Sequence, residues 1–209
     1  MIIELLFIIV VVLIILINML YRSVVKTTKG IKNGTGLSGF EIARILSSRL
    51  CDLEDPHIIK KNGKYLDHYN RERNTIKLSK EVFDGDDLYA AITAINISLE
   101  TPKDKKMVLE GRKLNAFLVI ASYIVIIIGA LYTNTFIIYL GMTLFVLAFI
   151  IEFILMAMII KTDEDLKELN ELIKENNLIK PAQEYADNAI LLSLSRLATL
   201  PYSFINYFR

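Results

Sequence analysis

The candidates for binding a metal ion or for acid–base chemistry form a small set in this sequence. Asp67 and His68 are adjacent, and Glu100 and Glu164 are the carboxylates that could join them. A zinc site needs three or four converging nitrogen, sulfur or oxygen ligands, and only one histidine is in range of this set. We therefore expect His68 to form hydrogen bonds within its own loop and Glu100 to end a helix beside nearby lysines. The alternative is a metal site built from Asp67, His68 and Glu100.

The rest of the composition excludes several other classes of site. Cys51 is the only cysteine, so the chain has no internal disulfide framework. With His57 and His68 it offers too few ligands for a Cys/His structural zinc site. We find no phosphate-binding loop, nucleophile elbow or dinucleotide fingerprint. The net charge of +1 provides no basic field for nucleic acid, so we expect no nucleic-acid partner.

Long apolar runs are the elements that must position these side chains. The chain is 54% hydrophobic, and its charged residues, 22% of the total, fall almost entirely between the runs. The runs cover residues 5–21, 116–132 and 136–160, each close to the length that crosses a hydrocarbon core of about 30 Å. Only residues 133–135 separate the second run from the third, which predicts an antiparallel hairpin. The first run lacks a positive n-region and a small-residue cleavage site, which favours an uncleaved anchor over a signal peptide.

The distribution of basic residues predicts the orientation in the cell membrane. Cations follow the first run, precede the second and follow the third, whereas the N-terminus and the turn at 133–135 carry none. The positive-inside rule therefore places residues 22–113 and 161–187 in the cytoplasm and the N-terminus outside. Residues 188–209 combine an apolar stretch with Pro201 and a cluster of aromatic residues. This pattern indicates a short tilted span or a helix among the lipid headgroups, and we favour the span.

Local patterns predict a small α+β unit between the first two runs. Ser38 and Glu41 form a capping box that opens a helix through about residue 50. Two short β-type stretches, residues 57–59 and 75–78, flank a loop. A second helix follows Asp87 and runs to about Glu100, before Pro102. Residues 163–176 form a charged helix with one apolar face.

The predicted fold class is a mainly α integral membrane protein with three to four membrane helices and a small α+β cytoplasmic unit. We divide the chain into an N-terminal anchor at 1–21, a cytoplasmic unit at 22–113 and a transmembrane hairpin at 114–160. A cytoplasmic helical segment at 161–187 and a C-terminal membrane or interfacial helix at 188–209 complete it. A helix–strand–strand–helix unit of this size is small for independent stability.

Three sequence blocks after the anchor, together with one glycine, resemble one known family. After the anchor come residues 35–44 (TGLSGFEIAR), 67–70 (DHYN) and 74–83 (NTIKLSKEVF), followed by Gly85. This order resembles the YugP-type neutral zinc metallopeptidases of bacterial membranes. The resemblance covers nearly the whole chain and implies a zincin-like unit, in which an alanine-rich helix carries H-E-x-x-H. It also implies a membrane hairpin and a further metal ligand after the third span.

The sequence departs from this pattern at the residues that would bind zinc and act as the general base. H-E-x-x-H works because histidines at i and i+4 share one helix face and reach Zn²⁺, while the glutamate accepts a proton from the bound water. Counting from Gly85, the resemblance places that motif at residues 96–100, with Asn96 and Glu100 at the ligand positions and Ile97 at the base position. It places the third ligand at Thr162. An amide is a poor zinc ligand and isoleucine cannot act as a base, so the resemblance implies a degenerate site.

Three functions remain open from the sequence. The first is a non-catalytic homologue that acts as a binding or scaffold module without zinc, with the lipid bilayer and another membrane protein or an active paralogue as partners. The second is a working membrane zinc metallopeptidase with an altered site, in which Glu100 or Asp67 would be the base. The third is a small transporter or channel using Glu152 and Asn18 inside the spans, which the absence of internal repeats disfavours.

Overall fold

The computed structural model describes residues 2–50, 56–62, 67–70, 73–99, 106–157 and 170–202. In chain order the elements are α1 (Ile2–Thr28), α2 (Gly39–Leu50), β1 (His57–Lys61), β2 (His68–Asn70), β3 (Thr75–Ser79), α3 (Lys80–Asp84), α4 (Leu88–Ser98), α5 (Lys106–Leu131), α6 (Thr135–Ala157), α7 (residues 170–175), α8 (Ile179–Thr199) and a 3₁₀ helix (Leu200–Tyr202). The protein is a mainly α membrane protein with a small α+β unit, as predicted.

The chain divides into two compact units. The first, the membrane unit, contains Met1–Tyr21, Lys106–Ile160 and Ser193–Arg209. The second, the α+β unit, contains Arg22–Lys105 and Lys161–Leu192. Three helices, α1, α5 and α6, are long and apolar enough to cross a membrane. Only 11%, 28% and 28% of their most apolar windows are buried, so most of their apolar surface faces outward, as a lipid environment requires.

Helices α5 and α6 approach each other closely at glycines. A Cβ atom added at Gly141 would lie 2.6 Å from Cγ1 and 2.9 Å from the backbone nitrogen of Ile126. A Cβ atom added at Gly129 would lie 2.7 Å from the backbone nitrogen of Ile138. Small residues at such contacts let two membrane helices pack backbone against backbone. The predicted turn joins α5 and α6. Within it, Asn134 Oδ1 accepts the N–H of Phe136 at 3.0 Å and so caps α6.

The described part of the C-terminal segment packs within the membrane unit. Among the described residues, the helices long and apolar enough to cross a membrane are α1, α5 and α6, and the span that we favoured for residues 188–209 stays a prediction. Leu197 and Ala198 pack against Ile17 of α1, and Leu200 packs against Val119 of α5. The first half of α8 is charged and polar, so the apolar stretch within the described helix is shorter than a span needs. The aromatic residues after Tyr202 lie outside the described part of the chain.

The α+β unit is built around the central strand β3. The strand order is β1-β3-β2, with β1 parallel and β2 antiparallel to β3. Alternate side chains of a strand point to opposite faces, and Ile76 and Leu78 are fully buried on one of them. They belong to an apolar cluster with side chains from α2, α4, α7 and the residue before α8, namely Ile42, Leu46, Ala91, Ile95, Leu172 and Leu178.

Two short elements of the α+β unit depart from the prediction. The region of β2 was predicted as a loop, and α3 was not predicted. Strand β2 has only three residues, His68–Asn70, all half-buried, so no alternating pattern identifies it. Its pairing with β3 supplies the hydrogen bonds instead. Both predicted strands are present, as β1 and β3, and the addition of β2 makes a three-stranded sheet.

The predicted helix caps are present. Glu41 Oε2 accepts hydrogen bonds from the Ser38 backbone N–H at 2.7 Å and from the Ser38 hydroxyl at 2.9 Å. These bonds, the backbone one first, lower the pKa of Glu41 below its ordinary value. Asp87 Oδ1 accepts the N–H of Ala90 at 2.8 Å and begins α4.

Candidate functional site

Helix α4 carries the positions at which the zinc motif was expected. The helix ends at Ser98, with Leu99 as its cap, so Asn96 and Ile97 lie in its last turn. Asn96 is half-buried, and Ile97 is only 2% exposed and belongs to the apolar cluster of the α+β unit. The position that the resemblance assigns to the base is therefore occupied by a core side chain with no titratable group. Glu100, Thr162 and Glu164 lie outside the described residues.

Asp67 has a structural role in the loop before β2. Its carboxylate accepts hydrogen bonds from the backbone N–H of Ser79 at 2.5 Å and from the Ser79 hydroxyl at 3.2 Å. Ser79 itself caps α3 by accepting the N–H of Val82. Burial raises the pKa of Asp67 above its ordinary value, and the two bonds from Ser79 partly oppose that rise. The carboxylate thus joins the start of β2 to the end of β3.

His68 lies on the face of the sheet opposite to α4. In the antiparallel pair it stands directly across from Lys77, so the two side chains share a face. The neighbours of Lys77 in β3, Ile76 and Leu78, point the other way, into the apolar cluster that contains Ala91 and Ile95 of α4. The sheet register therefore separates His68 from the Asn96 helix rather than bringing them together.

The described residues of the α+β unit do not bring a zinc donor set together. Within the described ranges, no group of three or more His, Cys, Asp or Glu side chains lies close enough to hold a metal ion. Asp67 and His68 are adjacent in sequence, but their side chains have different surroundings. The Asp67 carboxylate accepts a hydrogen bond from Ser79, whereas His68 shares a sheet face with Lys77. Asn96 and Ile97 contribute no carboxylate, imidazole or thiolate.

A second polar site lies between α5 and α6 in the membrane unit. Glu152 is 8% exposed, and its Oε2 atom accepts a hydrogen bond of 2.8 Å from Nδ2 of Asn115, which is 1% exposed. Asn115 was missed from the sequence because it stands at the edge of an apolar run. Among the described residues, no hydrogen-bond partner is found for the buried Oδ1 atom of Asn115 or for the buried Nε and Nη2 atoms of Arg112. The Glu152 bond holds the two helices together in an apolar setting.

Glu4 and Tyr139 form a second polar contact between membrane helices. The Tyr139 hydroxyl donates a 2.8 Å hydrogen bond to Oε1 of Glu4, which joins the start of α1 to α6. Asn18, the remaining polar candidate in the first span, is half-buried. The hydrogen bonds of Glu152 and Glu4 link helices, a common role for polar side chains within a membrane.

Comparison with protein families identifies one match. The sequence model of a family described as "putative neutral zinc metallopeptidase" matches residues 3–193, most of the chain. The match covers all three apolar helices and the whole sheet. Comparisons with curated proteins and with solved structures return no match.

Proposed function

Because the chain belongs to the neutral zinc metallopeptidase family, we propose that it keeps the family's membrane frame without the zinc chemistry. On this proposal it is a non-catalytic binding or scaffold protein. It would be held in the cell membrane by α1, α5 and α6, with its N-terminus outside and its α+β unit in the cytoplasm. Its partners would be the bilayer and another membrane protein, for which an active paralogue is the natural candidate.

The observation that carries this proposal is the burial of Ile97. The position that resemblance assigns to the general base is filled by an apolar side chain packed in the core. A glutamate there would need to be desolvated in the same cluster, at a cost that a catalytic centre offsets with a metal ion. Asn96, the first ligand position, adds a neutral amide. The loss of one position could be a variant site, whereas joint loss of base and ligand favours a frame used for binding.

The family match favours a second candidate, an active membrane zinc metallopeptidase with an altered site. It would need a base, for which Glu100 and Asp67 are the candidates. Asp67 suits this role poorly because both its oxygens accept bonds from Ser79. On the second candidate, chelation would abolish proteolysis and Glu100→Ala would reduce it.

Bound zinc distinguishes the two candidates. We would measure zinc per chain by elemental analysis of the detergent-purified protein, before and after chelation and repletion. We expect a value near zero that stays there on repletion. The positive control is the double variant Asn96→His with Glu100→His, which restores two histidines at i and i+4 and leaves Ile97 in the core. We expect this variant to take up more zinc than wild type.

A wild-type value of about one zinc per chain after repletion would overturn the proposal. Single variants His68→Ala, Asp67→Ala and Glu100→Ala would then identify the ligands. A matched comparison of proteolysis with and without chelator completes the test, because activity that disappears on chelation is incompatible with a non-catalytic protein.

A further inference from the structure

Strand β1 is the exposed strand of the sheet in the α+β unit. Its residues His57–Lys61 are exposed except for half-buried Ile58, whereas the residues of β3 are all buried and those of β2 are all half-buried. In the strand order β1-β3-β2 it stands at one edge, and within the described part of the chain it pairs with β3 alone. An exposed strand in this position presents backbone N–H and C=O groups along its outer edge.

The parallel register determines which backbone groups of β1 face outward. The N–H of His57 donates to the backbone oxygen of Asn74 at 2.9 Å, so His57 directs its backbone groups toward β3. Successive residues of a strand direct these groups to opposite sides, so every second residue of β1 faces β3. Ile58 and Lys60 therefore direct their N–H and C=O groups away from the sheet. These groups can form main-chain hydrogen bonds with a further strand.

Apolar side chains border β1 on both faces of the sheet. Phe40 of α2 and Phe83 of α3 are half-buried and stack with their ring centroids 4.7 Å apart, and we call them the aromatic pair. The Nζ atom of Lys60 lies 5.5 Å from the centroid of Phe83, which places the aromatic pair beside the edge strand. On the opposite face, Ile59 of β1 is 42% exposed. A strand added to β1 can therefore contact apolar side chains on each of its two faces.

The charge of β1 discriminates between possible occupants of its edge. The strand carries Lys60 and Lys61 and no acidic residue. Lysines on an edge strand disfavour pairing with a like strand, because a second copy of the chain would bring the lysines of both copies onto adjacent strands. A strand with acidic side chains would instead place a carboxylate across from exposed Lys61. Charge complementarity therefore favours an acidic partner segment over a second copy.

The edge of β1 is distinct from the helix that carries the zinc-motif positions. Helices α2 and α3 contact β1, whereas the contacts of α4 with the sheet lie mainly at β2 and β3. Asn96 and Ile97 lie in the last turn of α4. Binding at the β1 edge is therefore independent of zinc, and it would operate in either of the candidate functions.

We propose that the open edge of β1 binds an extended, acidic polypeptide segment of a partner protein by strand addition. The segment forms main-chain hydrogen bonds with Ile58 and Lys60. Its alternate side chains contact Ile59 on one face and the aromatic pair on the other, and an acidic side chain lies across from Lys61. Main-chain pairing supplies the affinity, whereas the alternation of apolar and acidic side chains supplies the specificity.

The test uses synthetic peptides and the full-length protein in detergent micelles. The probe is a short fluorescein-labelled peptide in which glutamate and valine alternate. One control peptide has lysine in place of glutamate. The other keeps the side chains of the probe but carries N-methyl groups along both of its edges, which removes its main-chain donors and blocks strand pairing. We expect a saturable rise in fluorescence anisotropy with the acidic probe and little change with either control.

Two substitutions at one position separate backbone recognition from side-chain recognition. Lys60→Ala removes the side chain and keeps the outward N–H, whereas Lys60→Pro removes both and preserves the N–H groups that face β3. We expect Lys60→Pro to bind the acidic probe about tenfold more weakly than Lys60→Ala, because one main-chain hydrogen bond is lost and the proline ring obstructs the edge. Circular dichroism checks that both variants fold.

Hydrogen exchange of the wild-type protein provides a readout that needs no substitution. We expect the acidic probe to slow amide exchange in residues 57–61, and the N-methylated peptide to leave that exchange unchanged. Lys61→Gln should weaken binding of the probe about two- to fivefold, because it removes a cross-strand ionic contact. The matched control, Lys174→Gln, removes an exposed cation of α7 and should leave binding unchanged.

Three results would overturn the proposal. The first is binding of the N-methylated peptide as tight as that of the acidic probe, or equal binding by Lys60→Pro and Lys60→Ala. The second is unchanged exchange of residues 57–61 at a saturating concentration of the probe. The third is self-association of the chain that Lys60→Pro abolishes, which would assign the edge to a second copy. None of these readouts depends on the zinc content, so this proposal and the proposed function can fail separately.

Discussion

Asp67 is a residue at which burial and hydrogen bonding act in opposite directions on one carboxyl group. Burial raises its pKa above the ordinary value of 3.8 by more than the bonds from Ser79 lower it. Between 3.8 and the raised pKa, the folded protein therefore binds more protons than the unfolded chain. The free energy of unfolding falls with rising pH wherever this is so. Asp67 should thus reduce stability progressively as pH rises through that window, with no further change above it.

We predict that Asp67→Asn removes this decline, while its amide oxygen can still accept the Ser79 N–H. The measurement is the midpoint of urea unfolding of the detergent-solubilised protein, followed by circular dichroism across the acidic range. Asp86→Asn is a control of opposite sign, because the hydrogen bond from Lys32 lowers the pKa of exposed Asp86. Stability from Asp86 is lost as pH falls through its lowered pKa. Parallel curves for wild type and Asp67→Asn would contradict the prediction.

The same residue shows what a sequence can and cannot predict about a site. Asp67 and His68 were identified as a candidate pair because they are adjacent and carry metal-ligating groups. Adjacency does not determine direction, however. Strand pairing with β3 turns His68 toward Lys77, and the end of β3 engages Asp67. Both arrangements depend on β2, a strand of three residues that forms by pairing with β3 and that no local sequence pattern identifies.

At the scale of elements, the α5–α6 hairpin depends on glycine. The hairpin was predicted from the length of the two apolar runs and the short polar link between them. The close approach of its two helices depends in addition on the absence of side chains at Gly129 and Gly141. We predict that Gly141→Val destabilises the membrane unit by about 1–3 kcal/mol, because the new side chain meets the backbone of Ile126 and cannot be accommodated by a rotamer change alone.

The matched control for this prediction is the neighbouring Leu140→Val. It introduces the same residue type at a side chain that is exposed on the outside of α6. The free energy of unfolding of each variant is measured by denaturation in mixed detergent micelles. Equal stabilities of the two valine variants would show that the helices separate at no cost, and would refute the close packing.

The elements were predicted well where residues close in sequence supply the hydrogen bonds. The capping box of Ser38 and Glu41 and the cap at Asp87 are local, so sequence spacing is enough to identify them. At the end of the chain a local pattern is not enough, because residues 188–200 are apolar enough to pack against α1 and α5 but belong to a helix that begins with charges. Apolar character indicates burial, and the uninterrupted apolar length decides whether a helix can span.

At the scale of the whole molecule, the orientation in the membrane remains a prediction from charge. Seven basic residues flank the apolar runs on one side, and the turn at 133–135 carries none. Moving so many cations across a bilayer is costly during insertion, so the α+β unit should stay on the cytoplasmic side.

Cysteine labelling can test the orientation of this protein in the membrane, because the chain has a single native cysteine. Cys51 is the only cysteine, so Cys51→Ser gives a background in which Thr135→Cys and Lys174→Cys can be introduced one at a time. Both positions are exposed, the first at the start of α6 and the second in α7. We expect a membrane-impermeant maleimide to label Thr135→Cys in intact cells and Lys174→Cys only after permeabilisation. The reverse pattern would place the α+β unit outside the cell and overturn the predicted orientation.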